Sequence, residues 1–302
     1  MVMIKRIRNR HVFHPDLRLP SLFIPQRVVT PRTVPVIRRL SKRIRGSSTA
    51  TVHHVAPGVS VRLFRPTTPT AVPGPAILWI HGGGMVIGTA AQDDATCRHF
   101  ADAVGATVAS VEYRLAPENP YPIPAEDCYA ALRWLAERPE VDSDRIVVGG
   151  ASAGGGLAAT VAAFAHDRGE VTPVLQLLVY PMLDDRSVTP DPNHRLWDAK
   201  SNRFGWESYI GDASPEDAVP ARRADLSGLA PAWIGVGSLD LFLEEGRTYA
   251  ERLEAAGVPC TLTVIPGAFH GFDAVARARV SKDFRAAQTS ALQTALRSGE
   301  HC

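Results

Sequence analysis

Cysteine is scarce in this chain and poorly placed for metal binding. The four cysteines, Cys97, Cys128, Cys260 and Cys302, are scattered over 302 residues without metal-type spacing. No secretory leader is visible. Met1-Val2-Met3-Ile4-Lys5-Arg6-Ile7-Arg8 starts with charge, and no apolar core follows. Without a leader the thiols are expected to be reduced and the protein cytoplasmic. Internal repeats and low-complexity tracts are absent. One stretch, Ile146 to Ala165, runs twenty residues without a charge, long enough to mimic a membrane span. Its glycines argue instead for a buried strand turning into a buried helix.

Charge is nearly balanced but unevenly spread. Net charge is +2, yet residues 1–46 hold twelve Lys or Arg against one acid, Asp16, leaving the remainder about −9. The bland reading is an arm whose cations face solvent or pair with the acidic body. The second is weak contact with an anionic membrane surface, making the protein peripheral. Val12, Phe13, Leu17, Leu19, Leu22, Phe23 and Ile24 are interleaved with the charges. A nucleic-acid partner is not expected, because no aromatic stacking platform accompanies the charge. Pro15, Pro20, Pro25, Pro31 and Pro35 cut the arm into pieces too short for a long amphipathic helix.

Beyond the arm the pattern is regular. Strand-like runs fall near 51–55, 60–65, 76–80, 107–112, 145–149, 174–180, 232–237 and 261–265. From the third onward, helical patterns alternate with them, as a parallel sheet requires. Helices are expected over 125–138, 243–256 and about 282–297. Residues 185–220 break the alternation with Pro190, Pro192, Pro220 and the aromatics Trp197, Phe204, Trp206 and Tyr209.

Chemistry concentrates at the ends of the strand-like runs. Gly150-Ala151-Ser152-Ala153-Gly154 lies between an apolar run and a small-residue helix, the setting of a nucleophile elbow. The turn strains the serine backbone and demands neighbours with almost no side chain. Upstream, His81-Gly82-Gly83-Gly84 follows Ala76–Ile80. Fixed N–H donors aimed at a developing oxyanion lower the barrier to acyl transfer, and Gly83, Gly84 and Ala153 are the candidates. His81 is expected to brace that loop. Two later strand ends carry Asp240 and His270, giving the order Ser, acid, His along the chain. His270 would take the Ser152 proton, and Asp240 would orient the imidazole. The competitors are Asp184, Asp185, Glu244, His99 and His194; none has both the chain order and the strand-end position.

Together with Tyr113-Arg114-Leu115-Ala116-Pro117-Glu118 and His270-Gly271-Phe272, these motifs resemble the hormone-sensitive lipase family of carboxylesterases over roughly residues 50–300. The resemblance implies an α/β-hydrolase fold, with an eight-stranded, mostly parallel sheet flanked by helices. It implies serine esterase activity without cofactor or metal on short- to medium-chain acyl esters, and it allows a homodimer. A cap is implied too, built from the arm (1–46) and from residues 185–220 of the hydrolase domain (47–302). Two departures stand out: Ala151, where the family tends to have Asp or Thr, and Leu241, where it tends to have proline.

Met85, Val86, Ile87, Phe204 and Trp206 are the expected lining of an apolar acyl pocket. Arg114 and Glu118 could form a substrate-binding pair, but in a loop with four prolines they are expected to be anchors. Glu126 and Asp127 are expected to favour a helix macrodipole. Amide or aryl formamide hydrolysis on the same triad is the alternative. A non-catalytic receptor, like the plant gibberellin receptors, is disfavoured because those lack the histidine that stands here at 270.

Overall fold

The computed structural model describes residues 10–41, 43, 44, 46–68 and 70–297. The Met1–Arg8 start of the arm, Lys42, Arg45 and Cys302 lie outside them. Eight strands form one sheet: β1 (Thr51–Ala56), β2 (Val59–Phe64), β3 (Gly74–Ile80), β4 (Thr107–Glu112), β5 (Val141–Ala151), β6 (Leu175–Val179), β7 (Ala232–Gly237) and β8 (Cys260–Ile265). Their order is β1-β2-β4-β3-β5-β6-β7-β8. β2 pairs antiparallel with both β1 and β4, and every later pairing is parallel.

The central strands are apolar on both faces because both faces are covered. Ile77 and Trp79 of β3 enter one apolar cluster, Leu78 and Ile80 the other. The same alternation holds in β5, where Val147 and Val148 part company. Two short arm helices come first, α1 (Pro20–Phe23) and α2 (Val34–Ser41). Then follow α3 (Asp94–Val104), α4 (Ile123–Ala136), α5 (Ala153–Arg168), α6 (Ala199–Ile210), α7 (Pro215–Ala218), α8 (Leu243–Ala255) and α9 (Arg279–Arg297). The uncharged stretch from Ile146 is the end of β5 and most of α5. Among the described residues no helix is long and apolar enough to cross a membrane.

Register decides where the chemistry gathers. Ile80 of β3 sits opposite Gly150 of β5, and Gly237 of β7 opposite Ile265 of β8. The loops after these strands therefore emerge on one edge of the sheet, the carboxyl edge where open α/β sheets collect ligands.

Candidate active site

Ser152 is the single residue between β5 and α5, with φ 59° and ψ −122°. For a non-glycine residue that conformation is strained, and three hydrogen bonds hold it. Its N–H donates to the Val179 carbonyl at 2.8 Å, while its carbonyl accepts from Gly156 at 3.1 Å and Met182 at 3.0 Å. The need for Gly154 is steric. A β-carbon there would stand 2.0 Å from the Ile80 carbonyl oxygen, so α5 could not begin this close to β3.

The Ser152 hydroxyl lies 2.9 Å from His270 Nε2, and His270 Nδ1 lies 2.9 Å from Asp240 Oδ2. With a carboxylate at Nδ1, the proton belongs on that nitrogen, leaving Nε2 to accept from the serine. The Phe242 N–H donates to Asp240 Oδ1 at 3.0 Å, which fixes the carboxylate plane. All three residues are nearly buried, at 7%, 7% and 5% exposure for Ser152, His270 and Asp240. The imidazole is clasped edge-on by Tyr180 and Phe242, each with ring centroids 5.0 Å away. Tyr180 in turn donates its hydroxyl to Asp273 at 2.8 Å.

Four of the five competing residues are occupied elsewhere. Asp184 pairs with Arg186, Asp185 with Arg222, and exposed Glu244 with Arg247. His99 lies 3.1 Å from the Thr289 hydroxyl. His194 is buried in the 185–220 segment, close enough to Asp240 and His270 to feel their charge, and burial lowers its pKa.

The glycine loop lies beside Ser152, since a β-carbon on Gly82 would stand 3.2 Å from the Ser152 β-carbon. His81 is fully buried and stacked on Tyr113 at 4.3 Å. Its Nδ1 lies 2.8 Å from the Gly82 carbonyl, and burial pushes its pKa down to about 4, so it is a neutral brace. Gly84 must be glycine: its φ is 61°, and a β-carbon would come within 2.1 Å of the Trp197 ring. Among the described residues no protein acceptor takes the N–H of Gly83, Gly84 or Ala153.

Met85, Val86 and Trp206 are buried in one apolar cluster, with Ile87 and Phe204 packed against it. The 185–220 segment reaches the loop through Trp197 and through Gly205, whose β-carbon would stand 3.0 Å from the Gly84 carbonyl oxygen. The arm grips that segment in turn. Arg27 binds Asp198 through contacts of 2.6 to 3.1 Å, and Ser201 donates to the Val29 carbonyl at 3.0 Å. Arg195 donates to the Ser21 carbonyl at 2.8 Å. The arm also touches the histidine loop, with His14 N–H donating to the Gly267 carbonyl at 2.9 Å.

One expectation needs correction: Asp127 lies past the first turn of α4, where only Glu126 is the acid, and, buried, it grips the Arg114 guanidinium at 2.6 and 2.9 Å. Arg114 and Glu118 do anchor their loop, Arg114 through Asp127 and Glu118 through Arg38 of the arm at 2.8 Å. Sequence reasoning missed Tyr180 and Phe242. Tyr180 follows β6 at the same carboxyl edge, and Phe242 stands two residues past Asp240; those positions were the available signal.

Comparison with known proteins gives one answer. A family profile described as the alpha/beta hydrolase fold matches residues 77–274. Esterase LipI of Mycobacterium tuberculosis is 39% identical over 218 residues, 68% of each chain. An ethyl acetate hydrolase of Pseudomonas putida is 35% identical over 226 residues, 70% of each chain. Among solved structures, a bacterial heroin esterase matches with a TM-score of 0.85 and 37% identity, covering 95% of this chain and 98% of that one.

Proposed function

The chain belongs to the hormone-sensitive-lipase-like branch of the α/β-hydrolase family and is a carboxylic ester hydrolase; we propose that it acts as a serine esterase on short- to medium-chain acyl esters. The observation that carries the mechanism is the unbroken relay from Ser152 through His270 to Asp240, with both links at 2.9 Å. Ser152 attacks the ester carbonyl carbon while His270 Nε2 takes the hydroxyl proton. Negative charge then builds on the former carbonyl oxygen, where the Gly83, Gly84 and Ala153 N–H groups would meet it. Collapse breaks the bond to the alcohol, and His270 returns the proton to the leaving oxygen. Water, deprotonated by the same imidazole, attacks the acyl carbon; the bond to Oγ breaks, His270 returns the proton to Ser152, and the acid leaves. Asp240 holds the tautomer and stabilises the imidazolium.

The apolar setting of Met85, Val86, Ile87, Phe204 and Trp206 supports an acyl pocket there, and the arm with residues 185–220 would be its cap. The similarity to an ethyl acetate hydrolase supports the short end of the range. A weak anionic membrane contact through the arm is part of the proposal. Leu19 and Phe23 are 67% and 70% exposed on a segment rich in arginine.

The test is to trap the intermediate. Acid quench during turnover of p-nitrophenyl butyrate should leave a butyryl group on the peptide containing Ser152. Turnover with no acylated peptide at any quench time would contradict the mechanism.

A further inference from the structure

Arg38 sits on α2, far along the chain from the glycine loop, yet its guanidinium reaches three acceptors on two loops at the active site. Nε donates to the Val86 carbonyl at 2.7 Å. One terminal nitrogen donates to both Glu118 carboxylate oxygens at 2.8 Å, and the other to the Ala116 carbonyl. The two loops are tied a second time by the Ala116 N–H, which donates to the Met85 carbonyl at 3.0 Å. The carbonyls of two consecutive residues, Met85 and Val86, are therefore both held from outside their own loop.

That loop needs holding. Met85 has φ 60°, a left-handed conformation that costs a non-glycine residue about 1–2 kcal/mol. Val86 is fully buried, so removing its donor would leave a carbonyl with no access to water. Within the turn, hydrogen bonds run from Val86 and Ile87 back to the Gly83 carbonyl, at 3.1 and 3.0 Å, and shape it without anchoring it to the rest of the protein. At its start the loop is held by Tyr113, whose hydroxyl donates to the His81 carbonyl, and by Gln92, which donates to the Gly82 carbonyl. At its far end, among the described residues, the anchors are Arg38 and Ala116. Because Nε and both terminal nitrogens of Arg38 already serve protein acceptors, the guanidinium is committed to the loops and not to a substrate anion.

We propose that Arg38 is a positioning residue for the oxyanion donors: it fixes the loop that carries Gly83 and Gly84, and so couples the seating of the basic arm to transition-state stabilisation. The inference rests on the serine esterase reading. It gives one arm cation a task inside the protein, and it makes catalysis sensitive to the arm even though no arm residue belongs to the relay.

The test uses the full chain with Arg38→Met, Arg38→Lys and Ser152→Ala beside wild type, on p-nitrophenyl butyrate. Two inhibitors are measured with each: an aryl alkyl trifluoromethyl ketone, which forms a tetrahedral oxyanion, and the matched unfluorinated ketone, which does not. In Arg38→Met, kcat should fall about 10- to 100-fold, short of the full loss of a donor, with KM little changed. The trifluoromethyl ketone should weaken in parallel while the plain ketone holds. Arg38→Lys, which keeps the charge but cannot span all three acceptors, should lie between. A folded Arg38→Met with wild-type kcat overturns the proposal, and so does equal weakening of both ketones, which would mark a substrate-binding role. Should Arg38→Met fail to fold, Arg38→Lys and Glu118→Gln carry the same comparison. Full activity in Ser152→Ala would instead refute the esterase mechanism, leaving the two failures distinct.

Discussion

Trp197 lies where a side chain on Gly84 would have to go, with its ring 2.1 Å from the β-carbon position. Residues 185–220 and the glycine loop thus share one packing surface. Gly84→Ala should force one or the other away, and the φ of 61° adds backbone strain to the clash. We expect kcat to fall on the order of 10²- to 10³-fold, as when an oxyanion donor is lost. Steady-state kinetics alongside a melting curve checks this. A folded variant with unchanged kcat would show that Gly84 is dispensable.

Asp240 and Glu244 lie one helical turn apart in sequence, but only the first touches the imidazole. Asp240→Asn keeps the shape and removes the charge, favouring the wrong tautomer, so turnover should drop roughly 10⁴-fold. Glu244→Gln loses an exposed ion pair with Arg247 and should leave turnover unchanged. The reverse pattern in initial rates would reassign the acid.

Folding buries His81 as a neutral ring, with its pKa lowered by burial from 6.5 to about 4. Between those values the unfolded chain binds a proton that the folded protein refuses. The resulting stability is fully present above about pH 6.5 and is lost as pH falls toward 4. His81→Asn has no such proton to take up. Its urea midpoint should therefore gain on that of wild type as pH drops from 7 to 5. A difference between the two that stays constant with pH would mean that folding leaves the His81 pKa unchanged.

Much of this was legible in the sequence, for definite reasons. The strands from β3 onward follow from apolar runs, β1 from its β-branched residues, β2 from apolar residues spaced two apart, and the elbow from a serine between small residues where a strand must turn into a helix. Ser152, Asp240 and His270 were readable because each ends or follows a strand, and chain order then selects among competitors. The tertiary ion pairs were not readable. Arg38 finds Glu118 across 80 residues, and Arg27 finds Asp198 across 171. No periodicity marks such pairs. Asp127 illustrates the same limit: in the first turns of α4 an acid suits the dipole, and only packing reveals that Arg114 claims it.

The most direct test of the account is hydrolysis of p-nitrophenyl acetate, butyrate, octanoate and palmitate by wild type and Ser152→Ala side by side. The account predicts activity peaking at a short or middle chain, and loss on the order of 10⁶-fold in the alanine variant. Ester hydrolysis by Ser152→Ala at a rate close to wild type would contradict it.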